Sequence, residues 1–178
     1  MLLRREVPGD ETAVRRVHSL AFAHPDLPGD QVPEARLVDA LRAGGHVVPV
    51  CSIVAVEYGD VVGHVVCSRA SIVAAEPAVS AAVVGLGPLG VLPDRRRRGA
   101  GSALMHAVLA AADARNVAAV VLLGDPRFYR RFGFESASRW GIVPTNSSWE
   151  PAFQVRRLTA WDDRLRGEFR YAEPFQQL

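Results

Sequence analysis

The sequence predicts an α+β fold that combines antiparallel strands with a strand–helix–strand crossover. Three observations carry this prediction: an N-terminal strand followed by two helices, two β-rich runs joined as a hairpin, and a later strand, helix and strand in succession. No repeat, low-complexity segment or linker divides the chain, so we expect residues 1–178 to form a single domain. With 49% hydrophobic and 22% charged residues, a chain of this length can bury a substantial core.

The charge balance excludes several classes of partner. The chain has 21 basic and 19 acidic residues, a net charge of +2, which argues against a nucleic-acid coat or a polybasic membrane anchor. Every basic residue is Arg, so an anion site must use guanidinium groups and no Lys can act as a nucleophile.

The N-terminus lacks the apolar segment of a signal peptide, and no apolar run is long enough to cross a bilayer. We expect a cytoplasmic protein with reduced thiols.

The first part of the chain is predicted to be a strand followed by two helices. The strand covers Leu2–Val7, and Asp10 is a good N-cap for a helix over Glu11–Phe22. A loop rich in Pro and Gly leads to a second helix at Pro33–Ala43, and these two helices could form one wall of a cleft. His18, on the apolar face of the first helix, is predicted to be a packed or surface residue rather than a ligand.

Two β-rich runs, Val47–Tyr58 and Val61–Ile72, are predicted to pair as a hairpin around the two-residue loop Gly59–Asp60. The register that follows from this loop places Cys51 and Cys67 on opposite faces, because strand side chains alternate. We therefore expect no disulfide between them.

The remaining elements alternate between strands and helices. They are a turn at Ala74–Ser80, a strand at Ala81–Val91, an apolar helix at Gly101–Arg115, a buried strand at Ala118–Leu123, a short helix at Pro126–Phe132 with Pro in its first turn, and a last strand at Phe153–Leu158. The tail from Asp162 to Leu178 has no assignment.

The segment Gly85–Gly90 reads GLGPLG, which matches the dinucleotide-binding pattern G-x-G-x-x-G. That motif requires a helix to begin at this point, and Pro88 followed by Val-Leu-Pro does not begin one. We interpret the segment as a strand kinked or bulged at Gly87–Pro88, because proline cannot donate to the sheet ladder.

The next segment is typical of a phosphate site. On its own, the arginine run Arg95–Arg98 would indicate a solvated charge cluster or a nucleic-acid patch. However, Gly99–Ser102 follows at once and opens an apolar helix. Glycines let a ligand approach the backbone, and the free N–H groups and dipole of the helix favour an anion there. A pyrophosphate would suit this combination of N–H groups and guanidiniums.

At this point the chain resembles a known family. Arg96–Gly101, RRRGAG, matches the R/Q-x-x-G-x-G/A motif of the GCN5-related N-acetyltransferases (GNAT), and Tyr129–Phe134 resembles the family's Y-x-x-x-G-F motif. One helix and one strand separate the two motifs, as in the family. The forms GDPRFYRRFGF and RYAEPF are similar to a bacterial subgroup, the YhbS-like predicted acetyltransferases. The resemblance covers Leu2–Leu158 in element order, but where many members have Asn before the short helix this chain has Gly124-Asp125-Pro126.

The resemblance implies a three-layer α/β/α fold with a mixed, mostly antiparallel central sheet and a bulged, splayed central strand. It implies acetyl-CoA as the acyl donor, no metal, and a small-molecule or protein amine as the acceptor. Nucleic acid and membrane are not expected partners, and the protein would be a monomer or homodimer.

The family's pattern also implies roles for individual residues. The backbone N–H of Leu89 would polarise the thioester carbonyl, and Tyr129 would be the general acid that reprotonates the CoA thiolate. The implied cofactor-binding residues are Leu89, Gly90, Val91, Arg96, Arg97, Arg98, Gly99, Ala100, Gly101, Ser102 and Tyr129.

Two questions remain open from the sequence. No general base stands out: Asp125, Glu57 and His64 are candidates that are more often structural, and a chain of waters is an equal alternative. The leading function is N-acetyl transfer. The alternatives are a non-catalytic acyl-CoA-binding module and an arginine-rich nucleic-acid binder.

Overall fold

The computed structural model describes residues 1–73 and 81–177, so the predicted turn at Ala74–Ser80 lies outside the described residues. Short 3₁₀ turns fill several connections between the strands and α-helices. In chain order these elements are β1 (Leu2–Arg5), α1 (Glu11–Ala21), α2 (Pro33–Ala43), β2 (Val47–Glu57), β3 (Asp60–Val73), β4 (Val83–Val91), α3 (Ala100–Asp113), β5 (Ala119–Leu123), α4 (Pro126–Tyr129), β6 (Glu135–Ser136), β7 (Ile142–Pro144), β8 (Phe153–Arg157) and β9 (Gly167–Arg170).

The strands form a mixed, mostly antiparallel sheet, as predicted. Its main path runs β1-β2-β3-β4-β5-β8-β6, and along this path only the β4–β5 pair is parallel in the described chain. β4 and β5 can pair in parallel because α3 connects them. This helix returns the chain to the end of the sheet where β4 began, so that β5 runs in the same direction. β9 pairs antiparallel with the end of β3 and parallel with β7.

Helices cover both faces of this sheet. Gly63 and Gly90 occupy neighbouring rungs of the β3–β4 ladder and therefore face opposite sides. A Cβ built at Gly63 would meet Leu104 of α3 at 3.1 Å, whereas one at Gly90 would meet His18 of α1 at 2.9 Å. The three-layer α/β/α fold is thus confirmed, with α3 on one face and α1 on the other.

Apolar side chains from all three layers form the main core. Val14 and Val17 of α1, Leu104 and Val108 of α3, and Val65 of the sheet are completely buried within it. A second cluster lies around the C-terminal strands and includes Ile142, Phe153 and Phe169. The tail that sequence reasoning left unassigned therefore contributes to the core, and the strand predicted to be the last is followed by another, β9.

The hairpin register differs from the prediction. The turn residues are Tyr58 and Gly59, with φ of +52° and +91°, the combination of two left-handed residues that suits a tight hairpin. The loop therefore closes one residue earlier than predicted, and a bulge after Ala55 shifts the pairing again. Ser52 pairs directly with Val66, so the next residues of the two strands, Cys51 and Cys67, lie on the same face, and their predicted placement on opposite faces is wrong. Both thiols are free.

Asp10 occupies the predicted N-cap position of α1, but its side chain makes no hydrogen bond to the first turn of the helix. Its carboxylate instead accepts two hydrogen bonds from Arg4, at 2.6 and 2.9 Å, and one from the backbone N–H of Val7 at 2.9 Å. An ionised guanidinium is a stronger donor than a helix N–H, and this ion pair joins β1 to the start of α1.

Candidate active site

The central feature of the site is a gap between β4 and β5. Their parallel pairing ends at Gly85 and Val121 among the described residues, although β4 continues to Val91 and β5 to Leu123. The strands splay apart from that point, as the family resemblance implied.

A bulge lies in β4 beside this gap. Cys67 pairs with Leu86 and Val65 pairs with Leu89, so Gly87 and Pro88 of β4 lie opposite the single residue between Val65 and Cys67. The predicted bulge at Gly87–Pro88 is therefore confirmed. A bulge re-aims the backbone groups that follow it, here those of Leu89.

The gap opens into a cavity of about 1010 Å³. Most of the site residues inferred from the sequence line it: Leu89, Val91, Arg96, Arg97, Gly99, Ala100, Gly101, Ser102 and Tyr129. Two of the inferred residues are absent from this lining among the described residues. Gly90 faces α1, and Arg98 lines a separate cavity beside Glu57 and Tyr58.

The N-terminus of α3 forms one end of the cavity. Gly99 precedes the helix with φ of +89°, and Arg97 also has a positive φ of +61°. The first intrahelical bond runs from Ala103 N–H to Gly99 C=O at 2.9 Å, which leaves the earlier N–H groups of the helix free for an anion. At Gly101 a Cβ would meet protein atoms no closer than 3.7 Å, so the protein itself leaves space there. This space and these donors fit a pyrophosphate.

The arginines of the loop have different partners. The Arg96 guanidinium donates to the Ala21 carbonyl at 2.5 Å and to the Val91 carbonyl at 3.4 Å, which ties the loop to α1 and β4. Arg97 lines the cavity and has neither an ion pair nor a side-chain hydrogen bond with any other described residue. Arg97 is therefore the loop arginine whose charge is available to a ligand.

Tyr129 lies at the end of the short helix α4. Asp125 caps this helix by accepting the Arg127 N–H at 2.9 Å, and Pro126 begins it, as predicted. A Cβ at Gly124 would lie 2.2 Å from the Tyr129 ring, so only glycine leaves room for the ring in this position. Burial raises the pKa of Tyr129 to about 12. The phenol is therefore protonated at neutral pH and can donate a proton.

The three base candidates are all engaged elsewhere. Asp125 lines the cavity but pairs with Arg127 at 2.9 Å. Glu57 lies 3.8 Å from Arg95 and lines a different cavity. His64 is completely buried, and its two ring nitrogens lie within hydrogen-bond distance of His18 and Ser52.

Sequence reasoning missed the wall formed by the tail. Tyr171 and Phe175 line the cavity and stack on each other with ring centroids 4.5 Å apart. They lie over the splayed strand: a Cβ would meet the Tyr171 ring at 2.6 Å at Gly85 and the Phe175 ring at 4.0 Å at Gly87. The motif RYAEPF was visible in the sequence, but nothing local indicated that its aromatic residues reach β4. Further lining residues were also missed, among them Glu34, Leu37, Phe128 and Arg131.

Within residues 1–73 and 81–177, none of the helices combines the length and the apolar character needed to cross a membrane. The same part of the chain contains no group of three or more His, Cys, Asp or Glu side chains placed to hold a metal ion.

Comparison with known proteins identifies the family. The model of the acetyltransferase (GNAT) domain matches residues 3–137. The N-acetyltransferase YhbS of Escherichia coli strain K12 is 33% identical over 168 residues, which is 94% of this chain and 92% of YhbS.

Two solved structures are similar over nearly the whole chain. YhbS from Escherichia coli in complex with CoA has a TM-score of 0.85 and 31% identity, covering 98% of this chain and 91% of YhbS. A GNAT family acetyltransferase from Brucella melitensis in complex with acetyl-CoA has a TM-score of 0.76 and 33% identity, covering 98% and 97% of the two chains. The motifs, the splayed strand and these similarities agree, and the chain belongs to the GNAT family of acetyltransferases.

Proposed function

We propose that the protein transfers an acetyl group from acetyl-CoA to a primary amine by direct attack of the amine on the thioester. The observation that carries this proposal is the gap beyond Gly85 and Val121, which joins the N-terminus of α3 to Tyr129 within one cavity. A thioester lying in this gap would reach both the bulged strand and the phenol.

The donor's pyrophosphate would bind at the N-terminus of α3. The free N–H groups of the first turn, the space at Gly101 and the unpaired Arg97 guanidinium support this assignment. Arg96 would hold the loop in position through its bond to the Ala21 carbonyl. The solved complexes of YhbS with CoA and of the Brucella enzyme with acetyl-CoA support the choice of ligand.

In the chemical step, the amine nitrogen forms a bond to the thioester carbonyl carbon while the carbon–sulfur bond breaks. Negative charge develops on the carbonyl oxygen, and we assign the Leu89 N–H, next to the bulge, as the donor that stabilises it. A single donor of this kind contributes about 10²–10³ in rate in other enzymes. The amine must arrive as the neutral base, and its second proton leaves to water.

Tyr129 is assigned as the general acid. The departing thiolate takes the phenolic proton, and the resulting phenolate regains a proton from solvent. Its raised pKa, about 12, keeps the phenol protonated until the thiolate forms. Its position on the cavity wall and the constraint at Gly124 support this role.

The test measures acetyl-CoA binding by calorimetry and CoA-thiol release with a panel of primary amines. We expect Tyr129→Phe to lower kcat by about 10²-fold or more while acetyl-CoA affinity changes little. Tyr58→Phe is the matched control, because Tyr58 is 98% exposed and lies outside the cavity. Equal kcat for Tyr129→Phe and the wild type would remove Tyr129 from the mechanism.

The same experiment separates the alternatives. Tight acetyl-CoA binding without thiol release for any amine would favour an acyl-CoA-binding module. Salt-dependent DNA binding, with no thermal stabilisation by acetyl-CoA, would favour a nucleic-acid binder.

We also propose that residues 1–178 act as one catalytic domain in the cytoplasm. Tyr171 and Phe175 support the first point, because the tail forms part of the cavity wall. The neighbouring free thiols of Cys51 and Cys67 support a reducing compartment.

A further inference from the structure

Two chemically different sets of residues line the cavity. One set consists of the arginines and the N-terminus of α3, and it suits an anionic ligand. The other set comes from α1, α2 and the tail, and we call it the apolar wall: Phe22, Glu34, Leu37, Tyr171 and Phe175. This wall is apolar with a single carboxylate.

The apolar wall adjoins the position of acetyl transfer. Phe175 packs with Leu37 and Leu41 of α2 in a small apolar cluster. The same Phe175 ring lies 4.0 Å from the position of a Cβ at Gly87, within the bulge that precedes Leu89. A molecule against this wall would therefore contact the strand at the residues that would hold the thioester.

Glu34 is the available charge on this wall. Among the described residues, its carboxylate makes no ion pair and no side-chain hydrogen bond. The other acid that lines the cavity, Asp125, is paired with Arg127. Further along α2, the carboxylate of Asp39 forms an ion pair with Arg42. A half-buried carboxylate in a cavity that aromatic rings also line favours a cation.

We propose that this wall binds the acceptor, and that the acceptor is a cationic primary amine with an apolar or aromatic body. Glu34 would hold the ammonium group as it enters, and Leu37 and Phe175 would contact the apolar body. The inference rests on the proposed function in calling this ligand the acceptor. Binding of such a cation can nevertheless be measured without turnover.

A simpler role for Glu34 is that it complements the positive end of the α2 dipole, since it lies in the first turn of that helix. That role requires no ligand. It predicts that replacing Glu34 changes only thermal stability. Glu11 also lies in the first turn of its helix, α1, and it lies outside the cavity, so Glu11→Gln is the matched control.

The experiment uses the full chain saturated with CoA and measures binding of 2-phenylethylamine, ethanolamine and 2-phenylethanol by calorimetry. We expect 2-phenylethylamine to bind most tightly, because only it has both the charge and the apolar body. Glu34→Gln should weaken its binding by about tenfold or more, the usual effect of losing a hydrogen bond to a charged group, without changing CoA affinity. Glu11→Gln should leave its binding unchanged.

Thiol release with 2-phenylethylamine and acetyl-CoA, measured on the same variants, separates this inference from the proposed function. Equal amine binding by Glu34→Gln and Glu11→Gln, or equal affinity for ethanolamine and 2-phenylethylamine, would overturn the subsite even if thiol release continues. Glu34-dependent amine binding without thiol release would retain the subsite and contradict the transferase function.

Discussion

Nε2 of His18 lies 2.8 Å from Nδ1 of His64, and both rings are completely buried. On its other side, His64 Nε2 lies 2.9 Å from Ser52 Oγ, which hydrogen-bonds one carboxylate oxygen of Glu6. Arg42 donates to the other oxygen at 2.6 Å. These contacts connect α1 and α2 to the first hairpin through polar groups. Of the packed and surface positions that the sequence left open for His18, the structure shows the packed one.

The buried pair of His18 and His64 should make the free energy of unfolding depend on pH. Burial lowers the pKa of His18 well below its usual range, and the neighbouring His64 and Arg42 add to this effect while Glu6 opposes it. Burial also lowers the pKa of His64, again with Arg42 adding and with Glu6 and Asp10 opposing. In the unfolded chain an imidazole takes up a proton below about pH 6.5, which the folded protein resists. The free energy of unfolding should therefore fall as the pH drops below that value.

We expect His18→Gln to reduce this pH dependence. Each histidine contributes at most about 1.4 kcal/mol per pH unit to the slope, so removing one should lower the slope by up to that amount. Urea unfolding between about pH 8 and pH 5 measures it. His24→Gln serves as control because the His24 side chain is 60% exposed. An unchanged slope in His18→Gln would mean that this ring is protonated in the folded protein.

A methyl group at Gly101 should affect the ligand and not the fold. Its nearest protein atoms would be Val91 Cγ2 at 3.7 Å and Phe128 Cζ at 3.9 Å, which are ordinary contacts. In the interior of a helix, Gly→Ala stabilises by about 1 kcal/mol, and a smaller gain applies in the first turn, where Gly101 lies. We therefore expect Gly101→Ala to raise Tm in the absence of ligand and to weaken acetyl-CoA binding, because the methyl enters the cavity. Differential scanning calorimetry and titration calorimetry give the two values, and unchanged affinity would show that the donor does not approach Gly101.

A methyl group at Gly124 should have the opposite pattern. It would overlap the Tyr129 ring at 2.2 Å, so the ring or α4 must move. Overpacking of this kind typically costs about 1–3 kcal/mol. We expect Gly124→Ala to lower Tm and kcat more than it lowers acetyl-CoA affinity, since the overlap falls on the Tyr129 ring and not on the N-terminus of α3. Normal kcat in this variant would indicate that turnover does not depend on the placement of Tyr129.

Local sequence signals predicted most of the elements and the loop residues that line the cavity, because those features depend on neighbouring residues. The helix predicted near Pro33–Ala43 is present with those bounds, and Gly87–Pro88 indicated the bulge because proline lacks a backbone donor. The predicted hairpin register was wrong because Tyr58 adopts a left-handed conformation, which is uncommon for a residue with a large side chain. The apolar wall was missed because Phe175 reaches Gly87 across 88 positions of chain, a contact that no local pattern encodes.

Two arginines of the loop, Arg97 and Arg98, should differ in function. Arg97 has no other partner among the described residues, whereas Arg98 lies on the separate cavity beside Glu57. Removing a guanidinium that contacts phosphate costs about 1.5–3 kcal/mol, or about 10- to 150-fold in affinity. We expect Arg97→Gln to weaken acetyl-CoA binding by this factor and to reduce its salt dependence, measured by titration calorimetry at several ionic strengths.

Arg98→Gln is the control, since it removes the same charge from the same loop outside the cavity. Arg96→Gln should weaken binding indirectly, because it releases the loop from the Ala21 carbonyl, and this variant should also lower Tm. If Arg97→Gln and Arg98→Gln weaken binding equally, the loop acts through its total charge and not through a specific contact from Arg97. A loss confined to Arg97→Gln, with Tm unchanged, would place the Arg97 guanidinium on the bound phosphates.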